Sequence, residues 1–380
     1  MSDSNSNLEA IAAPGMKPNG CGCAPTSERA ANAKASSENK HASRELREGV
    51  MGRMIALPGG TFLMGTENPD GFPQDGEGSV RAVTLEQKPN FRDVLEMVRG
   101  GFFLRKKPLD GSSSPYTNSA FALGPFSIDR YPVTNDLFAR FVEATGYRTD
   151  AERFGWSFVF WAHLLKARLQ ELVEDTVAAA PRWCKVRDAR WNAPEGPGSN
   201  LATRGDHPVV HVSWDDAKAF CGWSGQRLLT VAEWEYAARG GLEQKLYPCG
   251  DKLRPGGEHL CNIWQGEFPR VDTAEDGYAG TCPVDAFPAN GFDLYSMTGN
   301  TWEWCKDWFD AEFHRTADRT NPNGPPEGTA RVMKGGSFLC HKSYCNRYRV
   351  AARSSIRPIA RPQTSAFAAP SDRRRSVLAG

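Results

Sequence analysis

Three segments of the chain have the hydrophobic periodicity and the end signals of amphipathic helices. In TNDLFARFVEATG (134–146) apolar residues recur at helical spacing and a glycine follows them. SWDDAKAFCGWSG (213–225) and TVAEWEYAARGG (230–241) begin with Ser or Thr three residues before an acidic residue and end on glycine. A capping residue at the start and a glycine at the end predict three short helices.

Alternation of apolar and polar residues predicts short strands before these helices. It occurs in MIALPGGTFLMGT (54–66), RAVTL (81–85) and PFSIDRYPV (125–133), and the two glycines inside the first segment indicate a tight turn. Loops rich in Gly, Pro and Trp, such as 261–280 and 299–308, lie between and after the helices, and no internal repeat is present. We therefore predict an α+β fold with long ordered loops and little regular secondary structure.

The composition limits the partners and the compartment. The chain has 380 residues with 46 Lys+Arg and 45 Asp+Glu, so no overall charge attracts it to nucleic acid or to a membrane surface. We find no apolar run of about 18 residues and no secretory signal sequence. Ten cysteines at irregular spacing without such a signal predict a reduced, cytoplasmic protein.

Two segments differ in composition from a folded domain. Residues 1–50 contain no Phe, Trp or Tyr, so we predict that this segment is disordered. Its Cys21 and Cys23 have no second pair nearby, which favours two exposed thiols over a closed zinc site with about four ligands. Residues 88–124 separate two strand-like segments, and we interpret them as an insertion on the surface or as a retained intron, not as a second domain.

The strongest chemical signal is a pair of cysteines in a basic segment. Cys340 and Cys345 lie in GGSFLCHKSYCNRYRVAARSS (335–355), among lysine and arginine residues that should lower both thiol pKa values. A disulfide would close a tight loop, and zinc would need more ligands than the adjacent His341. Two thiolates suit a soft, low-coordinate metal such as Cu(I). Two buried structural cysteines remain the alternative.

Irregular loops offer a second type of metal site. NIWQGEFPRVDTAEDGY (262–278) and YSMTGNTWEW (295–304) contain Asn, Asp and Glu side chains and many turn carbonyls. Hard oxygen ligands on irregular backbone are what Ca²⁺ prefers. The same residues also serve in turns and helix caps, and the residues alone leave both interpretations open.

Six segments, in this order, resemble the formylglycine-generating enzymes, also called sulfatase-modifying factors. They are GGTFLMGT, HPVVHVSWDDAKAFCGWSGQRL, AEWEYAARGG, NIWQGEFP, GNTWEWCKDWF and RVMKGGSFLCHKSYCNRYRVAARSS. The resemblance covers residues 51–355 as one domain, apart from the insertion. The two cysteines of the last segment resemble the catalytic branch, because related branches lack them. The implied fold is the loop-rich formylglycine-generating fold, which is C-type-lectin-like.

The resemblance also implies a reaction. Members of the family oxidise a cysteine in a Cys-x-Pro-x-Arg motif of an unfolded sulfatase polypeptide to Cα-formylglycine, a post-translational modification that consumes O₂. Cys340 and Cys345 correspond to the pair that holds Cu(I), and the substrate thiol would complete a trigonal thiolate site. Ser337 and Tyr344 correspond to polar residues that line the pocket.

Two structural calcium sites are implied in the same way, residue by residue. The first would use Asn262, Ile263, Asp276 and Tyr278, with Ile263 and Tyr278 supplying backbone carbonyls. The second would use Ser296, Gly299, Thr301 and Glu303. Members of the family have Asn in place of Ser296, which weakens the second site. His341 and Arg347, in contrast, are interpreted as structural residues.

The C-terminus favours an alternative function, and the chain has three further departures from the family pattern. The chain has Leu229, Val231 and Cys249 where the family has Pro, Glu and Trp, and each difference needs one base change. Loss of a core Trp costs roughly 3–5 kcal/mol where the site does not collapse. The alternative is a non-catalytic or decayed homologue that binds sulfatase or other partner peptides.

The final 25 residues read as a frameshifted tail. With one base restored after the Ser355 codon, codons for residues 356–369 can be read as N-T-P-D-S-A-T-S-N-I-G-F-R-C, which is how family members end. We therefore predict that 356–380 is a disordered tail produced by a frameshift. The coding DNA tests this hypothesis: codons that cannot give this ending after a single insertion would refute it.

Overall fold

Short strands and short helices joined by long loops make up the chain. The computed structural model describes residues 53–69, 71–78, 81–85, 126–358, 365–366 and 370–371. The helices there are α1 (Asn135–Thr145), α2 (Asp150–Phe154), α3 (Leu169–Leu172), α4 (Trp214–Ser224), α5 (Val231–Arg239) and α6 (Phe313–Thr316). The predicted α+β, loop-rich class is confirmed.

The strands of the described residues are short and form several small sheets. They are β1 (Met54–Leu57), β2 (Gly60–Met64), β3 (Arg81–Leu85), β4 (Phe126–Asp129), β5 (Trp156–Phe160), β6 (Val173–Val177), β7 (Ala180–Arg187), β8 (Gly266–Glu267), β9 (Val271–Asp272), β10 (Trp302–Trp308), β11 (Arg331–Lys334), β12 (Ser354–Ile356), β13 (Ser365–Ala366) and β14 (Pro370–Ser371). The sheet orders are β1-β4-β14, β12-β11-β10-β13, β2-β3, β5-β7-β6 and β8-β9.

The three helices expected from the sequence are present with their predicted caps. In α4, Ser213 Oγ accepts from the Asp216 N–H at 3.1 Å, and an Asp216 carboxylate oxygen accepts from the Ser213 N–H at 2.9 Å. Thr230 and Glu233 form the same reciprocal pair at the start of α5. Gly225 ends α4 in the left-handed conformation, with φ 74°, which side chains with a Cβ rarely adopt.

The predicted N-terminal strands pair with one another. β2 and β3 form an antiparallel pair that begins with Gly60 opposite Leu85. β1 pairs antiparallel with β4 and places Met54 opposite Asp129. The segments that flank the proposed insertion therefore belong to neighbouring small sheets. The insertion itself and residues 1–50, with Cys21 and Cys23, lie outside the described residues.

The central strand β10 lies between β11 and β13. β10 runs antiparallel to β11 and parallel to β13, and β12 extends the sheet on the other side of β11. Ile356 at the end of β12 is 5% exposed and packs in the core with Trp304 and Met333. We expected the disordered tail to begin at residue 356, but Ile356 belongs to the folded part. Its backbone pairs with β11 and its apolar side chain is buried. Most residues after Pro358 lie outside the described ones, so the frameshifted tail stays a prediction.

The sheet of β5, β6 and β7 was not predicted from the sequence. β5 and β7 pair antiparallel, with Phe160 opposite Trp183. Both aromatic side chains are buried and pack with Trp264, Phe338 and other residues in one cluster. This sheet therefore supports the segment that leads to the cysteine pair. No helix within the described residues is long and apolar enough to cross a membrane.

Buried ion pairs attach the loop of residues 71–78 to the segment after Cys345. The Arg349 guanidinium donates to both Glu77 carboxylate oxygens, at 2.7 and 3.0 Å. Arg347 contacts Asp75 in the same way, with Nη2 2.6 Å from Oδ2. The paired side chains of Glu77 and Arg349 are 1% and 2% exposed, so water cannot replace either partner.

We predict that Glu77→Ala lowers the free energy of unfolding by about 3–5 kcal/mol, because it leaves the buried Arg349 charge unpaired. The measurement is urea unfolding at neutral pH. The matched control is Glu267→Ala, which breaks an ion pair with Arg270 whose side chains are 67% and 77% exposed. That control should change stability by less than about 1 kcal/mol. Equal effects of the two substitutions would contradict the role assigned to burial.

A second prediction concerns Asp129 at the end of β4. Burial raises the pKa of this carboxyl to about 7, although Gln226 Nε2 donates to Oδ2 at 3.2 Å. The folded state therefore binds the proton more tightly than the unfolded state, and stability falls as pH rises from the ordinary pKa of 3.8 to about 7. Asp129→Asn should stabilise the protein at pH 8, by at most about 4 kcal/mol, and change little at pH 4. Urea unfolding at both pH values measures the difference, and an equal effect at both would contradict the linkage.

Candidate active site around the Cys340 and Cys345 thiols

Two consecutive turns bring Cys340 and Cys345 together. The Cys340 N–H donates to the Ser337 carbonyl at 2.8 Å, and the Cys345 N–H donates to the His341 carbonyl at 3.0 Å. The two side chains are buried, free thiols that hydrogen bond to each other. The spacing of five residues thus places two sulfur atoms side by side on one loop.

The pKa values of the two thiols are shifted in opposite directions. Burial raises the pKa of Cys340 well above its ordinary value. Burial opposes ionisation of Cys345 too, but hydrogen bonds from Cys340 and the Arg347 N–H, with the Arg347 charge, hold the pKa of Cys345 below its ordinary value. The expectation that both pKa values are lowered is therefore right for Cys345 and wrong for Cys340. Cys345 is therefore the thiol of the pair that loses its proton more readily.

The basic residues of the segment brace the loop. Arg347 and Arg349 are paired with Asp75 and Glu77, so their charges are largely compensated within the protein. Arg349 Nε also donates to the Asn346 carbonyl at 3.0 Å, next to Cys345. The arginines therefore fix the backbone of the cysteine loop. Because their charges are paired, they lower the thiol pKa values less than the number of basic residues in the sequence suggested.

Ser337 and Tyr344 lie beside the cysteine pair. The Ser337 N–H donates to Cys340 Sγ at 3.4 Å, and Ser337 Oγ lies 4.0 Å from the same sulfur. Tyr344 packs against the cluster that contains both cysteines and stacks on Phe268, with ring centroids 4.5 Å apart and planes at 13°. The structure thus brings the four predicted catalytic side chains to one place.

A cavity of about 360 Å³ adjoins this cluster. Ile263 and Tyr348 line the cavity and also pack with the two cysteines. The remaining lining includes Cys261, Trp264 and His341. The sequence did not single out Cys261 or Tyr348. Tyr348 follows Cys345 by three residues in the quoted motif, and the spacing alone does not show that it lines a cavity.

The donor set at the cysteine pair suits a soft metal ion. The described residues contain no group of three or more His, Cys, Asp or Glu side chains that could hold a metal ion. A closed zinc site needs about four ligands, so the described part does not support one. Two adjacent buried thiols are a good donor set for Cu(I), which tolerates low coordination numbers. A third ligand could then come from a bound substrate.

The first predicted calcium site is a compact group of loop oxygens. The Asn262 side-chain oxygen is buried and has no hydrogen-bond partner among the described residues. One Asp276 oxygen accepts from the Ile263 N–H at 3.2 Å, and the other accepts from the Tyr278 N–H at 3.0 Å. Gln265 Nε2 donates to the Ile263 carbonyl and, at 2.8 Å, to Asp276 Oδ2, so these two predicted ligand oxygens already have a partner in the protein. The unpartnered Asn262 oxygen is suited to a hard cation.

The second predicted site contains two more unpartnered oxygens. Glu303 Oε1 and Thr301 Oγ1 are buried without partners among the described residues, whereas Glu303 Oε2 accepts from Trp234 Nε1 at 2.6 Å. Burial raises the pKa of Glu303 to about 7. Ser296 has φ 51°, a left-handed conformation that Asn adopts more readily, and its hydroxyl donates to the Val284 carbonyl at 2.9 Å. The Ser296 hydroxyl is therefore already engaged by a backbone carbonyl, in agreement with a weaker second site.

The three departures from the family pattern lie in different surroundings. Leu229 and Val231 are buried in the core around α5. Cys249 is exposed in a turn between Tyr247 and Gly250, whose N–H and C=O groups bond reciprocally at 2.9 and 3.0 Å. A cavity of about 260 Å³ lies next to it. Cys249 therefore leaves space that a larger side chain at this position could fill.

Comparisons with known proteins identify the family of the chain. The family model described as "Sulfatase-modifying factor enzyme 1-like domain" matches residues 39–367. The chain is 54% identical over 308 residues to the "Formylglycine-generating enzyme" of Thermomonospora curvata, an alignment that covers 80% of this chain and 88% of that protein. It is 39% identical over 317 residues to the "Inactive C-alpha-formylglycine-generating enzyme 2" of Bos taurus, covering 83% and 86% of the two chains.

A solved structure supports the fold. PvdO from Pseudomonas aeruginosa matches with a TM-score of 0.51 and 22% identity, over 83% of this chain and 93% of that chain. At this identity the likeness concerns the fold alone. The family model and the sequence relatives confirm the resemblance drawn from the sequence motifs. The chain therefore belongs to the formylglycine-generating enzyme family, the sulfatase-modifying factors.

Proposed function

We propose that this protein oxidises a cysteine in a Cys-x-Pro-x-Arg motif of an unfolded sulfatase to Cα-formylglycine, using O₂ and Cu(I) held by Cys340 and Cys345. The observation that carries this proposal is the pair of adjacent, buried, free thiols on one loop next to a cavity. A Cu(I) ion bound by two protein thiols would accept a third sulfur ligand, and the substrate cysteine has the right donor atom.

The protein residues would prepare the thiols and position the substrate. The lowered pKa of Cys345 favours a thiolate, which is the form that binds a metal ion. Cys340 would have to lose its proton when the metal binds, and the Ser337 N–H is placed to stabilise the resulting sulfur anion. When bound, Cu(I) would supply a centre for O₂ activation. The buried surroundings limit the access of water to that centre.

The alternative is a non-catalytic homologue that binds sulfatase or other partner peptides. A relative named inactive is 39% identical, and a relative named as the enzyme is 54% identical. The paired thiols of Cys340 and Cys345 also favour the catalytic proposal, because peptide binding alone does not require them. We therefore keep the oxidase as the first proposal.

We propose structural calcium at the two groups of loop oxygens. Asn262, Thr301 and Glu303 each contribute a buried oxygen without a partner among the described residues. A buried acceptor without a partner costs free energy that a bound cation would recover. The two groups are adjacent, since the Asn300 N–H donates to the Asn262 carbonyl at 2.7 Å.

The cytoplasm remains our proposal for the compartment. Every cysteine of the described residues is a free thiol, as a reducing compartment requires. The proposed partners are an unfolded sulfatase polypeptide and O₂, with neither nucleic acid nor a membrane, since the net charge of +1 gives no electrostatic attraction to either.

We predict that Cys340→Ala or Cys345→Ala abolishes both stoichiometric Cu(I) binding and O₂-dependent conversion of a Cys-x-Pro-x-Arg peptide. Either substitution leaves a single thiol, which cannot form the two-sulfur site. Binding is measured by competition with a Cu(I) chelator, and conversion by mass spectrometry. Cys184→Ala, a buried cysteine in β7, is the control and should keep both activities. Full turnover in either site variant would eliminate the copper proposal.

We also predict that Ca²⁺ raises the melting temperature and that a chelator reverses the effect. At a concentration about 100 times Kd, ligand binding adds about 2.7 kcal/mol to the stability of the folded state. Glu303→Gln should remove most of this gain at the second site, whereas Glu267→Gln on the exposed surface should keep it. Mg²⁺ should be less effective, because it demands a tighter octahedral shell. A melting temperature that does not respond to Ca²⁺ would rule out these sites.

A further inference from the structure

Arg182 on β7 lies against the aromatic wall of the candidate active site. Its guanidinium carbon is 4.3 Å from the centroid of the Tyr344 ring and 5.6 Å from that of Phe268. Because these rings stack on each other, the cation, Tyr344 and Phe268 form one group next to Cys345. The ring faces attract the positive charge but accept no conventional hydrogen bonds from the edges of the guanidinium.

The charge of Arg182 has no carboxylate partner among the described residues. Its Nε atom is buried and makes no hydrogen bond there, and no ion pair joins it to an acidic side chain. Glu267, next to Phe268 in the sequence, is paired with Arg270 at 3.0 Å. Arg347 and Arg349, in contrast, are both paired with acidic residues. Arg182 is therefore a partly buried cation whose hydrogen-bonding capacity is unused in this part of the protein.

A second cation lies close by on the cysteine loop. Lys342 is exposed, lines the cavity of about 360 Å³, and has no ion pair among the described residues. Arg254 on the same cavity is compensated by Glu275 at 3.4 Å. Arg182 beside Tyr344 and Lys342 on the cavity are thus two cations without ion pairs among the described residues, and each would attract an acidic group and repel a basic one.

We propose that Arg182, mounted on Tyr344 and Phe268, forms a subsite that binds a carboxylate side chain of the substrate peptide. The inference rests on the proposed function and adds to it a class of substrate: polypeptides with Asp or Glu close to the cysteine that is modified. Contacts with two rings hold the guanidinium in place without using its hydrogen-bond donors, and the planar fork of those donors matches the two oxygens of a carboxylate.

The test measures binding of fluorescent peptides to the full chain without copper, so that turnover plays no part. The peptides contain the unreactive motif Ser-x-Pro-x-Arg, with Asp or Asn placed at one neighbouring position at a time. At one position the Asp peptide should bind at least about tenfold more tightly than the Asn peptide, as expected for a hydrogen bond between charged groups. Because this comparison uses the unchanged protein, it does not depend on how any variant folds.

Variants then assign the preference to Arg182. Arg182→Gln should reduce the preference for Asp to less than about twofold, and Arg182→Lys should keep part of it, since a lysine retains the charge without the fork of donors. Arg187→Gln, at the exposed end of the same strand, is the matched control and should keep the whole preference. Thermal melting confirms that each variant is folded.

The other outcomes distinguish the subsite from the proposed function. If motif peptides bind better than scrambled peptides but Asp gives no advantage at any position, the carboxylate subsite is wrong and the sulfatase substrate stands. The assignment of the subsite to Arg182 is also wrong if Arg182→Gln keeps the preference while Lys342→Gln loses it. If motif and scrambled peptides bind equally, the proposed substrate and the subsite are both wrong.

Discussion

The buried carboxylate of Glu235 holds together the segments on which the candidate site depends. It is 1% exposed and accepts from the Gly65 N–H at 2.7 Å and from Arg239 Nη2 at 2.8 Å. Lys334 Nζ lies 3.5 Å from its second oxygen and donates to the Val350 carbonyl at 2.8 Å. One carboxylate thus connects the end of β2, helix α5 and the end of β11, from which the chain runs directly into the cysteine loop.

Ionic contacts of this kind have a particular value in a fold with few regular elements. Burial alone would raise the pKa of Glu235, yet the charges of Arg239 and Lys334 hold it below its ordinary value. Apolar side chains of similar size would often stabilise a core equally well, but they would not fix the direction of the backbone groups around them. The Glu77–Arg349 pair does the same for the segment after Cys345. Together these pairs fix the cysteine loop from both ends.

Local signals explain why much of the fold was predictable from the sequence. The caps at Ser213 and Thr230 involve residues three apart, so they can be read without knowing the tertiary structure. The sheet of β5, β6 and β7 has no such signal, because exposed positions such as Glu174 and Asp175 interrupt the apolar pattern of its strands. Tertiary packing against Trp264 and Phe338 decides that segment.

In the candidate site, too, local features were predictable from the sequence and tertiary contacts were not. The motif around Cys340 and Cys345 identified four side chains that the structure brings together, because they lie on one loop. The protonation of the thiols was only half predictable, since the sequence showed the arginines but not their partners Asp75 and Glu77, which lie about 270 residues earlier in the chain. Arg182 was not identified for a similar reason. Its position in the sequence gives no sign that Tyr344 lies beneath it.

Charge compensation separates the residues that build this site from those available to a substrate. Most cations near the cysteines already have their counter-charges: Arg347 and Arg349 pair with the loop of residues 71–78, and Arg254 pairs with Glu275. A compensated cation contributes to the architecture and offers little to a ligand, since binding would first have to break an existing pair. Arg182, which contacts Tyr344, and Lys342, which lines the cavity, lack such partners among the described residues. The same reasoning applies to the thiols. They contact each other and Ser337, and in the proposed function the substrate would supply the third sulfur ligand of the metal. A substrate that brings both a thiol and a carboxylate would therefore supply the two groups that this part of the protein does not provide for itself.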